Sequence, residues 1–536
     1  MSRYPLSVWI FALVLAVITS LPYIVGALST PEGWQYSGAA ALPPGIAVDY
    51  NSHMAKMWQG RRGEWDYHLL FTHEPHPGLP LVQGFYVALG AVSPFSLPAT
   101  YHLMRFVLTI GMVLALWSFA AHFFDKPSER WTCLLFATLV SGWSWLLRFV
   151  PGATDQVSPI EFWLIDAYNL PGALFMPHFA AAIILQIVAF LSFEWWVRKP
   201  SRKLLFMLTF ALAALSIVQP YIILLSAPLL VMLTAYHSFS TKLLTRRRAL
   251  WLLLPLGLHV ALIGYQYLAI NADPIWREFS AQNITLSPNN PLFYVFGYLP
   301  FIIPIVLGMW AFALDKSDDR WWLPLLWIII VAGLLYAPIN TQRRYLLGVQ
   351  TPLAALAAYG WTHAIMPRFG LRWRPLVTGI YITFAAIALV LMILSNITTL
   401  SNPYAPNSPF YTYDELIGYA WLQREADDDD LVLTTFDENG QGSGGRLVAA
   451  TGQRVFMGHW IETVYFDEKV AQIRTFFNPL TDDIWRQNFL RDAGVIYVWY
   501  DDYARALGNW NPSDASYLEV ALVSGTVTIY RVVGNG

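Results

Sequence analysis

The 536-residue sequence predicts a polytopic α-helical membrane protein with about 11 transmembrane helices, followed by an extracytoplasmic α/β domain. Three observations predict it. Hydrophobic residues make up 56% of the chain and charged residues 13%, where soluble proteins carry about 45–50% and about 25%, so there is too little charge to cover a water-facing surface. Mean hydropathy is +0.44, and apolar runs long enough to cross about 30 Å of hydrocarbon recur before Asn402. Charge is also divided unevenly: 24 Lys or Arg stand against 16 Asp or Glu before Pro409, and 9 against 19 from Pro409 onward. A net charge of −2 disfavours a nucleic-acid partner. The single cysteine, Cys133, excludes an intrachain disulfide framework and any cysteine-built zinc site.

In chain order, spans are expected near 5–28, 101–124, 131–150, 177–197, 204–219, 221–240, 249–270, 293–314, 321–338, 345–365 and 375–397. The first is expected to be an uncleaved anchor, because its apolar stretch is long for a signal peptide. Residues 79–92 are apolar but too short to cross, and are expected to form a helix on the membrane surface. Gln219-Pro-Tyr221 reads as a turn joining two spans. With the N-terminus cytoplasmic, the inner segments collect 16 of the 24 basic residues, among them Arg3, Arg198, Arg202, Arg247, Lys316 and Arg374. The loops 29–100, 149–176, 271–292 and 339–344 then lie outside.

The expected division is a transmembrane domain at 1–401, a Pro- and Asn-rich linker at 402–410 and the α/β domain at 411–536. In that last part Tyr413–Glu425, Phe466–Phe477 and Asp483–Asp492 read as helices, and Leu431–Phe436, Val455–Met457 and Val495–Tyr500 as strands, with a strand pair at the end. Asn439–Gly445 is Gly-rich but lacks a following Gly-Lys-Ser or Gly-Lys-Thr, so a loop is expected there and not a phosphate cradle.

The outer loops hold the candidate chemistry. The first contains Val48-Asp-Tyr-Asn-Ser-His-Met-Ala-Lys56, in which helical spacing sets Asp49, His53 and Lys56 on one face, and then His73-Glu-Pro-His-Pro-Gly78. The second contributes Asp155, Glu161, Asp166, Tyr168, Asn169 and His178, and a third set is Asn340-Thr-Gln-Arg-Arg344. Charged groups this near a bilayer cost free energy unless they pair or line a wet cavity, which marks them as functional candidates. Plainer roles compete: Arg343 and Arg344 as headgroup anchors, Asp49 as a helix N-cap, and His53, His73 and His178 as interfacial histidines with their hydrogen bonds met.

Asp49 just past the first span, the surface helix from Pro80 to Gly90, a second span opening with Tyr101-His-Leu-Met-Arg105 and an outer C-terminal module together resemble the GT-C superfamily. Its members are membrane glycosyltransferases that use polyprenyl-phosphate-linked sugars. The resemblance implies transfer of a sugar to a glycan, lipid or protein acceptor in the cell envelope, with Asp49 as catalytic base or metal ligand. Glu74 and His76, in a Glu-Pro-His motif, look like a second catalytic element, and Asp166 like a further carboxylate of a later loop. The Trp-Trp-Asp motif of the oligosaccharide-transferring branch is missing, since Trp321-Trp322 is followed by Leu323.

Such a transfer needs a base for the acceptor hydroxyl and cations for the departing phosphate. Asp49, helped or replaced by Glu74, suits the first need, and Arg343, Arg344 and Lys56 the second, with His53 and Asp166 beside the substrate. A divalent metal (magnesium or manganese) is a possible cofactor, with Asp49, Glu74, His76 and Asp166 as candidate ligands, although their spacing does not demand one. Gly458-His-Trp-Ile-Glu462 is either an acceptor-touching cluster or ordinary surface. The rival reading is a transporter or flippase of a lipid or amphiphile, but such proteins usually carry repeats and broken midplane helices, whereas the polar groups here gather at one membrane face.

Overall fold

The computed structural model describes residues 4–314 and 318–533, the stretch 310–314 by its backbone; Arg3 and Lys316 lie outside the described residues. Two compact units emerge: one of residues 1–21, 102–265 and 284–395, the other of residues 22–101, 266–283 and 396–536.

The first unit is helical. Five helices of the described chain are long and apolar enough to cross a membrane (Leu6–Leu28, Leu97–Phe123, Pro177–Arg198, Pro220–Phe239 and Arg246–Ala272). Arg374–Ala385 with Ile387–Leu400, bent by 47°, is a sixth if the pair counts as one span. The remaining apolar stretches form shorter helices: Arg202–Val218, Leu299–Leu314, Trp322–Leu334 and Gln350–Gly360. The expected span 131–150 is helical as Pro127–Thr138 and then gives way to a separate 3₁₀ turn, Ser144–Phe149. Gln219-Pro-Tyr221 is the expected break: a helix ends at Val218 and a new turn opens with Pro220, which has no N–H to leave unpaired.

Large apolar side chains face outward on these helices, for instance Phe206, Phe210, Leu253 and Ile380, as lipid contact requires. Helix contacts inside are made by small residues and buried polar groups. A Cβ on Gly360 would stand 1.9 Å from the Pro304 carbonyl oxygen, and one on Gly308 2.4 Å from the Gly360 Cα, so Leu299–Leu314 and Gln350–Gly360 cross with backbones nearly touching. Arg105 donates to the Thr19 carbonyl at 3.0 Å and to Ser20 Oγ at 2.9 Å, tying the second span to the end of the first helix. Glu194, fully buried, accepts from Arg198 and lies 3.2 Å from His237 Nε2, while Arg198 also bonds Asp319 at 3.0 Å.

The second unit contains a four-stranded sheet in the order Leu431–Leu433, Val495–Tyr500, Val527–Val532, Leu518–Ser524, its first pair parallel and the others antiparallel. Leu433, Val498, Trp499 and Ile529 are wholly buried in its core. Helix Tyr413–Glu425 starts at a capping box, in which Thr412 Oγ1 and Glu415 each satisfy the other's backbone N–H. Leu431–Phe436 is a strand only to Leu433, and Val455–Met457 makes a single parallel bridge to Val432, because the Val455 N–H turns to the Leu70 carbonyl at 2.9 Å. Past Gly442 (φ 141°) the Gly-rich stretch ends in helix Gly444–Thr451.

The first loop belongs to this unit. It holds helix Ile46–Arg61, the short strand pair Asp66-Tyr67 with Leu79-Pro80, and helix Gly84–Ala91. The expected helix from Pro80 to Gly90 therefore begins later: Pro80 lies in a strand, and Leu81 and Gln83, at φ 66° and 55°, break any earlier helical turn. Helices Ile46–Arg61 and Gly84–Ala91 cross at two glycines. A Cβ on Gly60 would lie 1.9 Å from the Val87 carbonyl oxygen and one on Gly90 2.0 Å from that of Met57.

Candidate active site

Helix Ile46–Arg61 presents Asp49 in its first turn. The N-cap is Gly45, at φ 89° and without a side-chain cap bond, so Asp49 does not cap the helix. Its side chain is 47% exposed, with Oδ1 3.8 Å from Nε2 of His459. The imidazole is buried and sits in a locked turn: Thr463 Oγ1 accepts from the backbone N–H groups of Gly458 and His459, and Thr463 N–H donates to the His459 carbonyl. The cluster Gly458–Glu462 is thus interior rather than surface.

One and two turns further along the helix the same face is occupied differently. His53 stacks on Tyr86 at 4.0 Å, with Nδ1 3.4 Å from the Tyr101 hydroxyl. Lys56 is buried, and its Nζ donates to Glu462 Oε1 at 2.7 Å and to Ser52 Oγ at 2.5 Å. Glu462 also accepts from Ser52 and from the Tyr67 hydroxyl. Burial raises the Glu462 pKa, but the Lys56 charge and the hydrogen bonds from Lys56 and Ser52 outweigh it and leave the carboxyl below its ordinary value. Burial first, and then the Glu462 charge, push the Tyr67 phenol well up. Lys56, a candidate phosphate ligand in the sequence, is buried and its charge is answered by Glu462.

The Glu-Pro-His segment is clamped. Arg454 donates to the carbonyls of Thr72, His73 and Glu74 at 2.9, 2.9 and 3.1 Å. Lys469 Nζ donates to Glu74 Oε2 and Thr72 Oγ1, both at 2.7 Å. Burial pushes the Lys469 amine down to about 8, against the pull of the Glu74 charge. Burial and the Lys469 charge lower His73 to about 4. His76 has both ring nitrogens engaged, Nδ1 with the Glu74 carbonyl at 2.7 Å and Nε2 with the Leu69 N–H at 2.9 Å. Glu74 and His76, expected as a second catalytic element, are built into the loop's own bonding. Lys469 and Thr72 went unnoticed in the sequence because nothing local marks a lysine or threonine as buried.

In the first unit, Asp166 and the arginine pair come together. Arg344 Nη1 lies 3.9 Å from Asp166 Oδ2, and the Arg343 guanidinium stands 5.5 Å above the Trp163 ring. Arg343 Nε is buried without a hydrogen-bond partner among the described residues, and burial lowers the guanidinium pKa while Asp166 opposes it. Tyr298 donates to the Ala167 carbonyl at 2.9 Å and Tyr168 to that of Gly297 at 2.7 Å, which hold the Asp166 loop in place. Glu161 is buried and accepts from Ser144 Oγ at 2.6 Å and Trp145 N–H at 2.7 Å, and Asn169 donates to the Ala137 carbonyl at 3.0 Å. These two are structural ties. Asp155 is exposed, and His178 lies against Phe179 at the start of its helix.

Among the described residues no group of three or more His, Cys, Asp or Glu is arranged to hold a metal ion. Glu74 already answers Lys469, and His76 has no lone pair to spare, so these two do not fit a metal centre as placed.

No family profile and no curated protein sequence matches the chain. Solved structures do. ArnT from Cupriavidus metallidurans bound to undecaprenyl phosphate is similar with a TM-score of 0.53 at 11% identity, over 97% of this chain and 98% of that one. The Archaeoglobus fulgidus oligosaccharyltransferase tethered to an acceptor peptide gives 0.55 at 13% identity, over 99% and 74%. The mycobacterial arabinofuranosyltransferase AftD gives 0.51 at 14%, and this chain spans 41% of it. With five helices long and apolar enough to cross a membrane and a fold shared with these structures, the class is an integral, multi-pass membrane protein. Its fold is similar to that of these solved structures.

Proposed function

We propose that this protein is a membrane glycosyltransferase that moves a sugar from a polyprenyl-phosphate carrier to a glycan, lipid or protein acceptor at the extracytoplasmic face. The observation that carries the reading is Asp49: in a chain with the GT-C fold, the loop after the first apolar helix presents a half-open carboxylate beside a buried imidazole. Asp49 takes the proton of the acceptor hydroxyl while that oxygen bonds to the anomeric carbon. The bond from this carbon to the carrier phosphate breaks, its electron pair passes to the phosphate oxygen, and the configuration inverts. Arg343 and Arg344 bind the phosphate through paired N–H donors, Asp166 orients Arg344, and His53 lies beside the substrate.

Glu74 and His76 do not fit a metal centre as placed, so no step here is routed through magnesium or manganese. The transporter alternative is not favoured, since two of the solved structures with this fold are themselves transferases. The reading includes a cytoplasmic N-terminus, about 11 spans and an extracytoplasmic α/β domain at 411–536. The test is release of carrier phosphate from a panel of polyprenyl-phosphate sugars, with and without a chelator. Asp49→Asn should lower turnover by about 10²- to 10⁴-fold at unchanged membrane expression. Turnover near that of the unaltered protein would remove Asp49 from this role.

A further inference from the structure

We infer that His459 is the positioning residue of Asp49, acting through a hydrogen bond from its Nε2–H to the carboxylate in the substrate-bound state. The inference rests on the reading of Asp49 as the base. The tautomer follows from geometry: His459 Nδ1 accepts the backbone N–H of Ile461 at 3.1 Å and that of Glu462 at 3.2 Å. Two donors aimed at Nδ1 need its lone pair, so the ring N–H is on Nε2.

That N–H is buried and has no hydrogen-bond partner among the described residues, and the His459 side chain is only 5% exposed. A buried donor left unpaired costs about 1–3 kcal/mol, and such groups are rare enough in native proteins to need a reason. The carboxylate oxygen 3.8 Å away supplies one. The ring cannot move toward it, because Thr463 Oγ1 holds the backbone of Gly458 and His459, and the Phe71 ring lies 5.7 Å from the imidazole. Asp49 can move, because its short side chain is 47% exposed and a small rotation closes the remaining gap of about 1 Å. Lys56, on the same helix, is already spent on Glu462 and cannot take this role. Once the bond forms, one carboxylate oxygen is held by the imidazole and the other is turned to the acceptor hydroxyl. Catalytic hydrogen bonds are often long until substrate tightens them.

The test separates donor from scaffold. In His459→Asn the amide oxygen can take the two N–H groups that Nδ1 takes, while the Nε2 donor is lost. His459→Gln puts an amide nitrogen near the Nε2 position. In the carrier-release assay His459→Asn should keep the wild-type melting temperature and the KM for the lipid donor, and lose about 10- to 100-fold in kcat. His459→Gln should recover much of that loss, and in an Asp49→Asn background His459→Asn should cost nothing more. Wild-type kcat in His459→Asn, a loss carried by KM alone, or equal impairment in both variants would overturn the inference. If His459→Asn folds poorly, the Gln variant decides, with near wild-type kcat expected and a full loss overturning. An active Asp49→Asn would instead remove the base reading itself, and the two failures are thereby told apart.

Discussion

At the level of single residues, burial and hydrogen bonding separate side chains that look alike in the sequence. Asp49 and Glu74 are both first-loop carboxylates, yet Asp49 is 47% exposed while Glu74 is 15% exposed and bound by Lys469. Arg343 and Lys56 are both cations near candidate carboxylates, but the Lys56 charge is answered by Glu462 at hydrogen-bond distance, whereas the Arg343 guanidinium rests on the Trp163 face. Arg343→Ala is therefore expected to raise the KM for the lipid donor about 10-fold at similar kcat, since it removes phosphate binding common to ground and transition states. An unchanged KM would favour a headgroup anchor. His73 supplies a pH test. Its pKa falls from 6.5 to about 4 on folding, so between those values the unfolded chain binds more protons. The stability it contributes is complete above pH 6.5 and is lost as pH drops through about 4, by on the order of 3 kcal/mol. Melting temperature should fall with acidification in that window, and less steeply in His73→Gln.

Among the elements, the Asp49 helix is placed by two devices. The glycine crossing at Gly60 and Gly90 brings helix Gly84–Ala91 against it with almost no side chain between, and the Lys56–Glu462 pair ties it to the turn that carries His459. Both partners of that pair are 5% exposed or less, so breaking it leaves an uncompensated buried charge. Lys56→Met should cost about 3–5 kcal/mol of stability, read as a lower denaturation midpoint in detergent. A change below about 1 kcal/mol, the range of exposed pairs, would show that water reaches the site. In the first unit, Gly360→Val would meet the Pro304 carbonyl directly, and the same measurement should show loss of folded protein. Several boundaries were legible from the chain. Tyr413–Glu425 and Phe466–Phe477 are helices and Val495–Tyr500 a strand, as expected, the first opened by its own capping box. The strand expected at Val455–Met457 is reduced to a single bridge to Val432, because the Val455 N–H is claimed by the Leu70 carbonyl, far away in sequence.

For the molecule as a whole, the orientation inherited from the basic loops can be tested with single cysteines. After Cys133, which is buried, is replaced by alanine, a cysteine at exposed Asp428 should react with an impermeant maleimide in intact cells, and one at Arg247 should not. The opposite labelling would reverse the assigned faces. What the sequence determined by itself was the membrane class, the run of apolar helices and the acidic mixed module at the end. Each of these depends on composition or on contacts within a few residues, which are written locally. What only the tertiary structure decided was the fate of each polar group: Lys56 closed off by Glu462, His76 spent on its own loop, and His459 brought within 3.8 Å of Asp49 across some four hundred positions. Solvent exposure and hydrogen-bond pairing depend on which distant segments pack together, and a linear pattern does not carry that information.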